Sequence, residues 1–243
     1  GQQIYERNYP TPVNPADLNP QQQHDYYDIV YTMGRNYIAN NPHEYGDISS
    51  RPTDRRENYV KRCVGLPGQT LQVKNRIVYL DGKPNKEPDN VQYTYYVKLK
   101  QYIPDDLMQE LGITMEDLAS LNSRGYLPLT KRAVEGLKAR TDVVESVTIN
   151  ENAPVGEVYP RNAVTGWTCD NYGPVWIPKK GESIDLTMEN IAVYERPIKV
   201  YEGNELEVKN GQIYINGQLA TKYTFKMDYY WMMGDNRHNS ADS

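Results

Sequence analysis

Two segments far apart in the chain carry nearly the same pattern. Leu71-Gln-Val-Lys-Asn-Arg-Ile-Val-Tyr-Leu-Asp-Gly82 and Leu206-Glu-Val-Lys-Asn-Gly-Gln-Ile-Tyr-Ile-Asn-Gly217 align without gaps, with Leu, Val, Lys, Asn, Tyr and Gly coinciding. In the first, Leu71 and Val73 alternate with polar residues, a turn follows, and Ile77 and Tyr79 lead to an Asp-Gly turn. Period-two alternation bounded by such turns predicts a β-hairpin in each place. The pair is either a degenerate internal repeat or two hairpins that share turn chemistry. Either way the chain is committed to antiparallel sheet. The 22 tyrosines against one phenylalanine agree, because tyrosine suits half-buried strands with a wet edge.

A chain of 243 residues can form one large or two small domains. Apolar content of 38% and a mean hydropathy of −0.79 make any core modest or divided. A net charge of −5 and a pI near 5.3 speak against a nucleic-acid partner. No apolar run is long enough to span a bilayer and no signal-peptide pattern is present, so the chain as given is expected to be soluble. Cys63 and Cys169 are distant in sequence. Cys63 falls in an expected core strand, so a free buried thiol is as good a reading as a disulfide. His24, His43 and His238 form no ligand pattern, so no metal or other cofactor is expected.

Residues 1–57 read as an N-terminal arm and helix, placed like an insertion. Asn19-Pro20 has the form of a helix start, with Asn as the cap and Pro in the first helical position. Tyr26, Val30, Met33 and Tyr37 recur on one helical face, and Asn40-Asn41-Pro42 stops the pattern. Residues 58–97 and 174–243 read as an incomplete β core. Between them, 98–173 reads as an inserted α+β subdomain, with helices opened at Pro104-Asp105-Asp106, at Thr114 with Asp117, and at Thr130, and a strand over 142–149. Further on, Thr187 caps a helix with Ile191, Tyr194, Ile198 and Tyr201 along one stripe, and Pro197 should kink it. A last strand is expected over Tyr223–Met233. Tyr229, Trp231 and Met233 would face one way and Tyr230 and Met232 the other, as in a core strand or an exposed sticky edge.

Two stretches carry chemistry. Tyr59-Val60-Lys61-Arg62-Cys63-Val64 reads as a strand running into a Gly65-Leu66-Pro67-Gly68 turn. Alternation puts Tyr59, Lys61 and Cys63 on one face. A lone strand lysine ordinarily snorkels to water. One enclosed by a ring and a thiol is costly to keep charged, and a neutral amine can act as a general base. At the other end, the Gly234-Asp235-Asn236 turn leaves the last strand and presents Arg237, Ser240 and Asp242. That is either an ordinary hydrogen-bonded loop or a set of short polar side chains that hold another group in place.

Together, Lys61-Arg62-Cys63-Val64-Gly65-Leu66-Pro67-Gly68 and Met233-Gly234-Asp235-Asn236-Arg237 through Ser240-Ala241-Asp242-Ser243 closely resemble the lysine-bearing motif and the last motif of bacterial type I signal peptidases. These are membrane-bound Ser/Lys endopeptidases. The resemblance implies a mainly β fold with an α+β insertion, its catalytic core built from coiled antiparallel sheets. It implies that Lys61 is the general base, that Ser240 orients its amine, and that Asp242 forms an ion pair bracing the site. Arg62, Gly65, Pro67, Gly68, Gly234, Asp235, Asn236, Arg237 and Ser243 would shape the two motifs. The implied partners are the signal peptides of exported preproteins and the membrane, reached through an N-terminal helix missing from this sequence and through the apolar edge near Trp231. The implied location is the inner membrane, with the catalytic domain on the periplasmic side.

The sequence departs from the family where the nucleophile belongs. No Ser-Met-x-Pro precedes Lys61; Ser49 and Ser50, in Asp-Ile-Ser-Ser-Arg-Pro, lack the Met and Pro. Tyr45-Gly46-Asp47-Ile48 only faintly echoes the start of the family strand motif between nucleophile and lysine. The chain is therefore expected to be a portion of a longer enzyme and inactive by itself. The competing reading is a non-catalytic interaction module that keeps the fold. A related self-cleaving repressor is disfavoured by the acidic charge and the lack of a basic helix.

Overall fold

The computed structural model describes residues 14–49, 60–161 and 165–240. Helix α1 (Pro20–Asn40) begins at a complete capping box. Asn19 accepts the Gln22 N–H at 2.9 Å, and the Gln22 side chain accepts the Asn19 N–H at 3.1 Å. Two of the orphan donors at the helix start are thereby satisfied. Val30 and Gly34 are buried, with Tyr26, Met33 and Tyr37 half-buried beside them, so the apolar face is the one the spacing defined. A short helix, α2 (Pro42–Tyr45), follows.

Strand β1 (Arg62–Gly65) starts after Lys61, and Tyr59, expected on the same face, lies outside the described residues. Strands β2 (Thr70–Lys74), β3 (Ile77–Leu80) and β4 (Lys83–Pro84) form an antiparallel meander. Next come β5 (Gln92–Leu99), α3 (Asp105–Leu111), α4 (Met115–Arg124), β6 (Tyr126–Thr130), α5 (Lys131–Ala139) and β7 (Val144–Ile149). Their sheet has the order β6-β5-β7. The three helix starts fall where the sequence pattern put them, Thr114 with a capping box to Asp117 and Thr130 accepting the Ala133 N–H. Strand β6 was not foreseen, because Pro128 sits in its middle. It is an edge strand, where a residue without an N–H is tolerated. Ile103, Leu127, Leu137 and Val143 are fully enclosed in the core that this sheet shares with its helices.

The chain continues through β8 (Tyr172–Trp176), which joins the meander beside β2, and β9 (Ser183–Asp185). Helix α6 (Ile191–Arg196) then runs into a π-helical turn, Pro197–Tyr201. The missing Pro197 N–H accounts for the change of helix type. Ile191, Tyr194 and Ile198 are buried as their spacing predicts, whereas Tyr201 is exposed. A second meander follows, β10 (Leu206–Lys209), β11 (Gln212–Ile215) and β12 (Gln218–Leu219). Last come β13 (Lys222–Thr224), paired with β9, and β14 (Trp231–Met233), paired with β1. The single strand expected over Tyr223–Met233 is thus two strands in different sheets. The molecule is largely antiparallel β with packed helices. Among the described residues, no helix is long and apolar enough to cross a membrane.

The chain divides into two compact units. One comprises residues up to Val60, Tyr159–Gly166 and Pro178–Asp228; the other comprises Lys61–Val158, Trp167–Ile177 and the residues from Tyr229. Each unit contains one of the two meanders, and the backbones match in detail. Asn75 and Arg76 have φ of 47° and 71°, Asn210 and Gly211 51° and 73°. Both positions in the left-handed region give the tight hairpin turn that follows strand twist. Asp81-Gly82 and Asn216-Gly217 repeat it. The Asp81 side chain accepts the Thr70 N–H at 2.8 Å, and Asn216 accepts the Glu205 N–H at 2.9 Å. The buried residues correspond as well: Leu71, Val73 and Val78 with Leu206, Val208 and Ile213. The two-residue turn pairs Val73 with Val78 and Lys74 with Ile77, so Val78 faces inward and Ile77 is exposed, not the reverse.

Candidate active site

Strand β1 carries a bulge. Cys63 pairs with Met232 and Gly65 with Trp231, which leaves Val64 without an opposite residue. An extra residue breaks strict alternation. Val64 and Gly65 are therefore both buried, and Cys63 is exposed rather than in the core. Cys63 and Cys169 are both free thiols. The apolar wall expected from Tyr59 and Cys63 is thus not supplied by Cys63. Gly65 is needed for space: a Cβ there would overlap Ile177 Cδ1 and stand 3.2 Å from the Trp231 Cβ. The turn that follows is anchored on the neighbouring strand, with Gly68 N–H donating to Ile177 O and the Trp176 indole donating to Gly68 O.

Strand β14 delivers the second stretch directly beside the first. Half-buried Lys61 donates from Nζ to Ser240 Oγ, and Gly234 lies against both. Arg62 and Asp235 form a two-pronged ion pair, Nε to Oδ1 at 2.9 Å and Nη2 to Oδ2 at 2.8 Å. The Arg62 guanidinium holds the Asp235 carboxyl below its usual value. Arg237 is buried and donates from Nη1 to Met233 Sδ at 3.4 Å, while its Nε finds no acceptor among the described residues. Asp242 and Ser243 lie outside the described residues.

The loop is fixed from behind by β5. Gln92 N–H donates to Asp235 O at 2.8 Å, and Arg237 N–H donates to Gln92 O at 2.9 Å. Sequence reasoning missed this docking, and it missed the neighbouring pair of His238 and Asp170, whose ring nitrogen and carboxylate meet at 2.8 Å with both side chains buried. Their separation in the chain hides them from any local pattern. The Arg62–Asp235 pair was equally hidden, although both residues stood in the motifs.

Chemically, the site offers a lysine amine held by a hydroxyl, on a rigid two-stranded frame, with an acidic residue turned away onto Arg62. That is an arrangement for moving a proton. The family model described as "Signal peptidase, peptidase S26" matches residues 15–137, just over half of the chain, and the chain belongs to this family. It is similar to the type I enzymes in particular. Signal peptidase I of Bacillus amyloliquefaciens is 35% identical over 91 residues, covering 33% of this chain and 48% of that protein. Probable signal peptidase I-1 of Synechocystis sp. is 32% identical over 75 residues, 31% of this chain and 38% of that protein. Signal peptidase I of Rickettsia akari is 29% identical over 87 residues, 33% and 32%. The chain thus spans about half or less of these curated relatives. No solved structure matches it.

Proposed function

We propose that this chain carries the general-base half of a signal peptidase I that removes signal peptides from exported preproteins. The observation that carries this reading is the Lys61–Ser240 contact, made across two motifs at opposite ends of the chain. In the reaction, Lys61 Nζ takes the proton of a serine hydroxyl as its oxygen attacks the scissile carbonyl. The resulting ammonium returns the proton to the departing amine, leaving an ester. Nζ then takes a proton from water as its oxygen adds to the ester carbon, and returns that proton to the serine oxygen as the ester bond breaks, which frees the serine and the new carboxyl terminus. Ser240 holds the amine in line, and Asp242 braces the loop. The nucleophile is not among these residues, since no Ser-Met-x-Pro precedes Lys61. The substrate is an exported preprotein with small residues before the scissile bond, met at the periplasmic face of the inner membrane. The apolar edge at Trp231 and Met232 is the side turned toward the membrane. Residues 98–173 are an insertion in the β catalytic core formed by 58–97 and 174–243.

The test is signal-peptide cleavage by the parent enzyme and its Lys61→Ala variant. Cleavage is expected to fall to background in the variant, and a retained rate overturns the assignment of the base. Residues 1–243 alone are expected to leave a signal peptide uncut.

A further inference from the structure

Cys169, Asp170 and His238 offer three ligand atoms within 4.8 Å of one another, but the hydrogen bonds oppose an ion there. His238 Nδ1 accepts the Thr94 N–H at 3.1 Å. The ring proton is therefore on Nε2, which donates to Asp170 Oδ1 at 2.8 Å. A metal at Nε2 would require that proton on Nδ1, where the Thr94 N–H already points. Burial and then the charge of Asp170 push the Cys169 thiol up to about 11, away from the thiolate a metal takes.

What the cluster does build is a brace. The 235–238 segment docks on β5 through Gln92 in both directions, and His238 extends the ladder by putting its ring nitrogen where a carbonyl would stand. The other ring nitrogen ties the segment to Asp170. Asp170 is in turn held by Arg76, from Nη1 to Oδ2 at 3.4 Å and from the backbone N–H to Asp170 O at 2.9 Å. Arg76 has φ of 71°, where the matching turn of the other meander has Gly211 at 73°. A bulky residue in the left-handed region is strained. The arginine side chain therefore has a reason to be there, and its reach to Asp170 supplies one. Ser240 follows His238 by two residues.

We propose that His238, oriented by Asp170 and Arg76, is a positioning residue that sets the loop presenting Ser240 to Lys61. The proposal rests on the reading of Lys61 as the general base. Misplacement by an ångström at such a site costs on the order of a hundredfold in rate.

Two measurements test it. In the parent enzyme, His238→Ala is expected to lower kcat about 10- to 100-fold with little change in KM, and His238→Gln, whose amide can still donate to Asp170, is expected to recover part of it. Arg76→Gly keeps the turn but takes the cation away from buried Asp170, so kcat is expected to fall as in His238→Ala. A kcat within about twofold of the parent enzyme in both His238→Ala and Arg76→Gly, with Lys61→Ala inactive, overturns the brace and leaves the base standing. The second measurement needs no turnover. In the 243-residue chain, the NMR resonances of the Lys61 Nζ and Cε groups are expected to move in His238→Ala and return toward their original positions in His238→Gln. If they stay still, the brace is wrong whatever the fate of the base. Should His238→Ala fail to fold, Arg76→Gly carries both measurements.

Discussion

The Ser240 hydroxymethyl group fills the space where Gly234 would carry a side chain: a Cβ on Gly234 would stand 2.5 Å from Ser240 Oγ and 2.9 Å from its Cβ. It would also stand 3.3 Å from Lys61 Nζ. Glycine is needed at this point for close approach. Gly234→Ala should therefore fold but push Ser240 away from Lys61. A fall in kcat of about tenfold or more, with KM little changed, is the expected result in the parent enzyme. Unchanged kcat would show that the loop yields without cost.

The Arg62–Asp235 pair joins β1 to the loop after β14, and both side chains are partly in water. Its contribution should be screened by salt. Asp235→Asn is expected to lower the melting temperature at low ionic strength and much less in about 1 M salt. The Asp235 carboxyl is held below its ordinary value of 3.8, first by the hydrogen bond from Arg62 and then by the charges of Arg62 and Arg237 working against burial. Its stabilisation is complete above 3.8 and is lost as pH falls through the lower folded value. The difference between parent and variant should thus vanish in acid. A difference that persists there would rule out the ion pair as its source.

His24 on α1 and Glu195 on α6 meet at 3.1 Å. The hydrogen bond to Glu195 raises the His24 pKa above 6.5 against the effect of burial, and the charges of Glu195, Asp28 and Asp25 add to it. Burial alone would raise Glu195, but the hydrogen bond and charge of His24, with Lys199, bring it below 4.5. The raised histidine stabilises fully below 6.5 and loses its effect as pH climbs through the folded value. The lowered carboxylate stabilises fully above 4.5 and loses its effect as pH drops through its own. The contact should be strongest between those limits, on the order of 1–2 kcal/mol. Melting curves of the parent and Glu195→Gln should lie farthest apart in that window and approach each other in alkali; a constant gap would refute the linkage.

The two thiols should differ in reactivity. Cys63 is exposed, whereas Cys169 is partly buried and its thiol is pushed up to about 11. Since the thiolate is the reacting form, a thiol reagent near pH 8 should give one fast phase, removed by Cys63→Ser, and one slow phase. Two equally fast phases would contradict the burial of Cys169.

What could be read from the sequence was local. The Asn19 cap, the Thr114–Asp117 capping box and both hairpins announce themselves because their partners lie within a few residues. The Lys61–Ser240 contact was legible only through the resemblance of two motifs to those of a known family, since no local rule joins residues so far apart. Cys63 was misplaced because a bulge, which depends on the partner strand, shifts the face on which it points. His238 looked inert because Thr94 and Asp170 come to it from separate strands and turns. The stretch Tyr223–Met233 looked like one strand because it is rich in aromatic and Met residues, but its two ends pair with β9 and β1.

The two meanders have a consequence for engineering. Each fixes its second turn from within: the clamp from Asp81 or Asn216 onto the strand start is matched by a return bond, Asp81 N–H to Thr70 O and Asn216 N–H to Glu205 O, both at 2.9 Å. The exit bonds also match, Asn85 N–H to Val78 O and Ala220 N–H to Ile213 O. A module that specifies its own turns is portable. Its inward triad, Leu-Val-Val in one copy and Leu-Val-Ile in the other, has to suit the host, and so does the outer edge of β2, which pairs with β8. Residues 70–85 and 205–220 thus share their turns but not their addresses: the first carries β8 along its edge and Arg76 in a strained seat, and the second has neither.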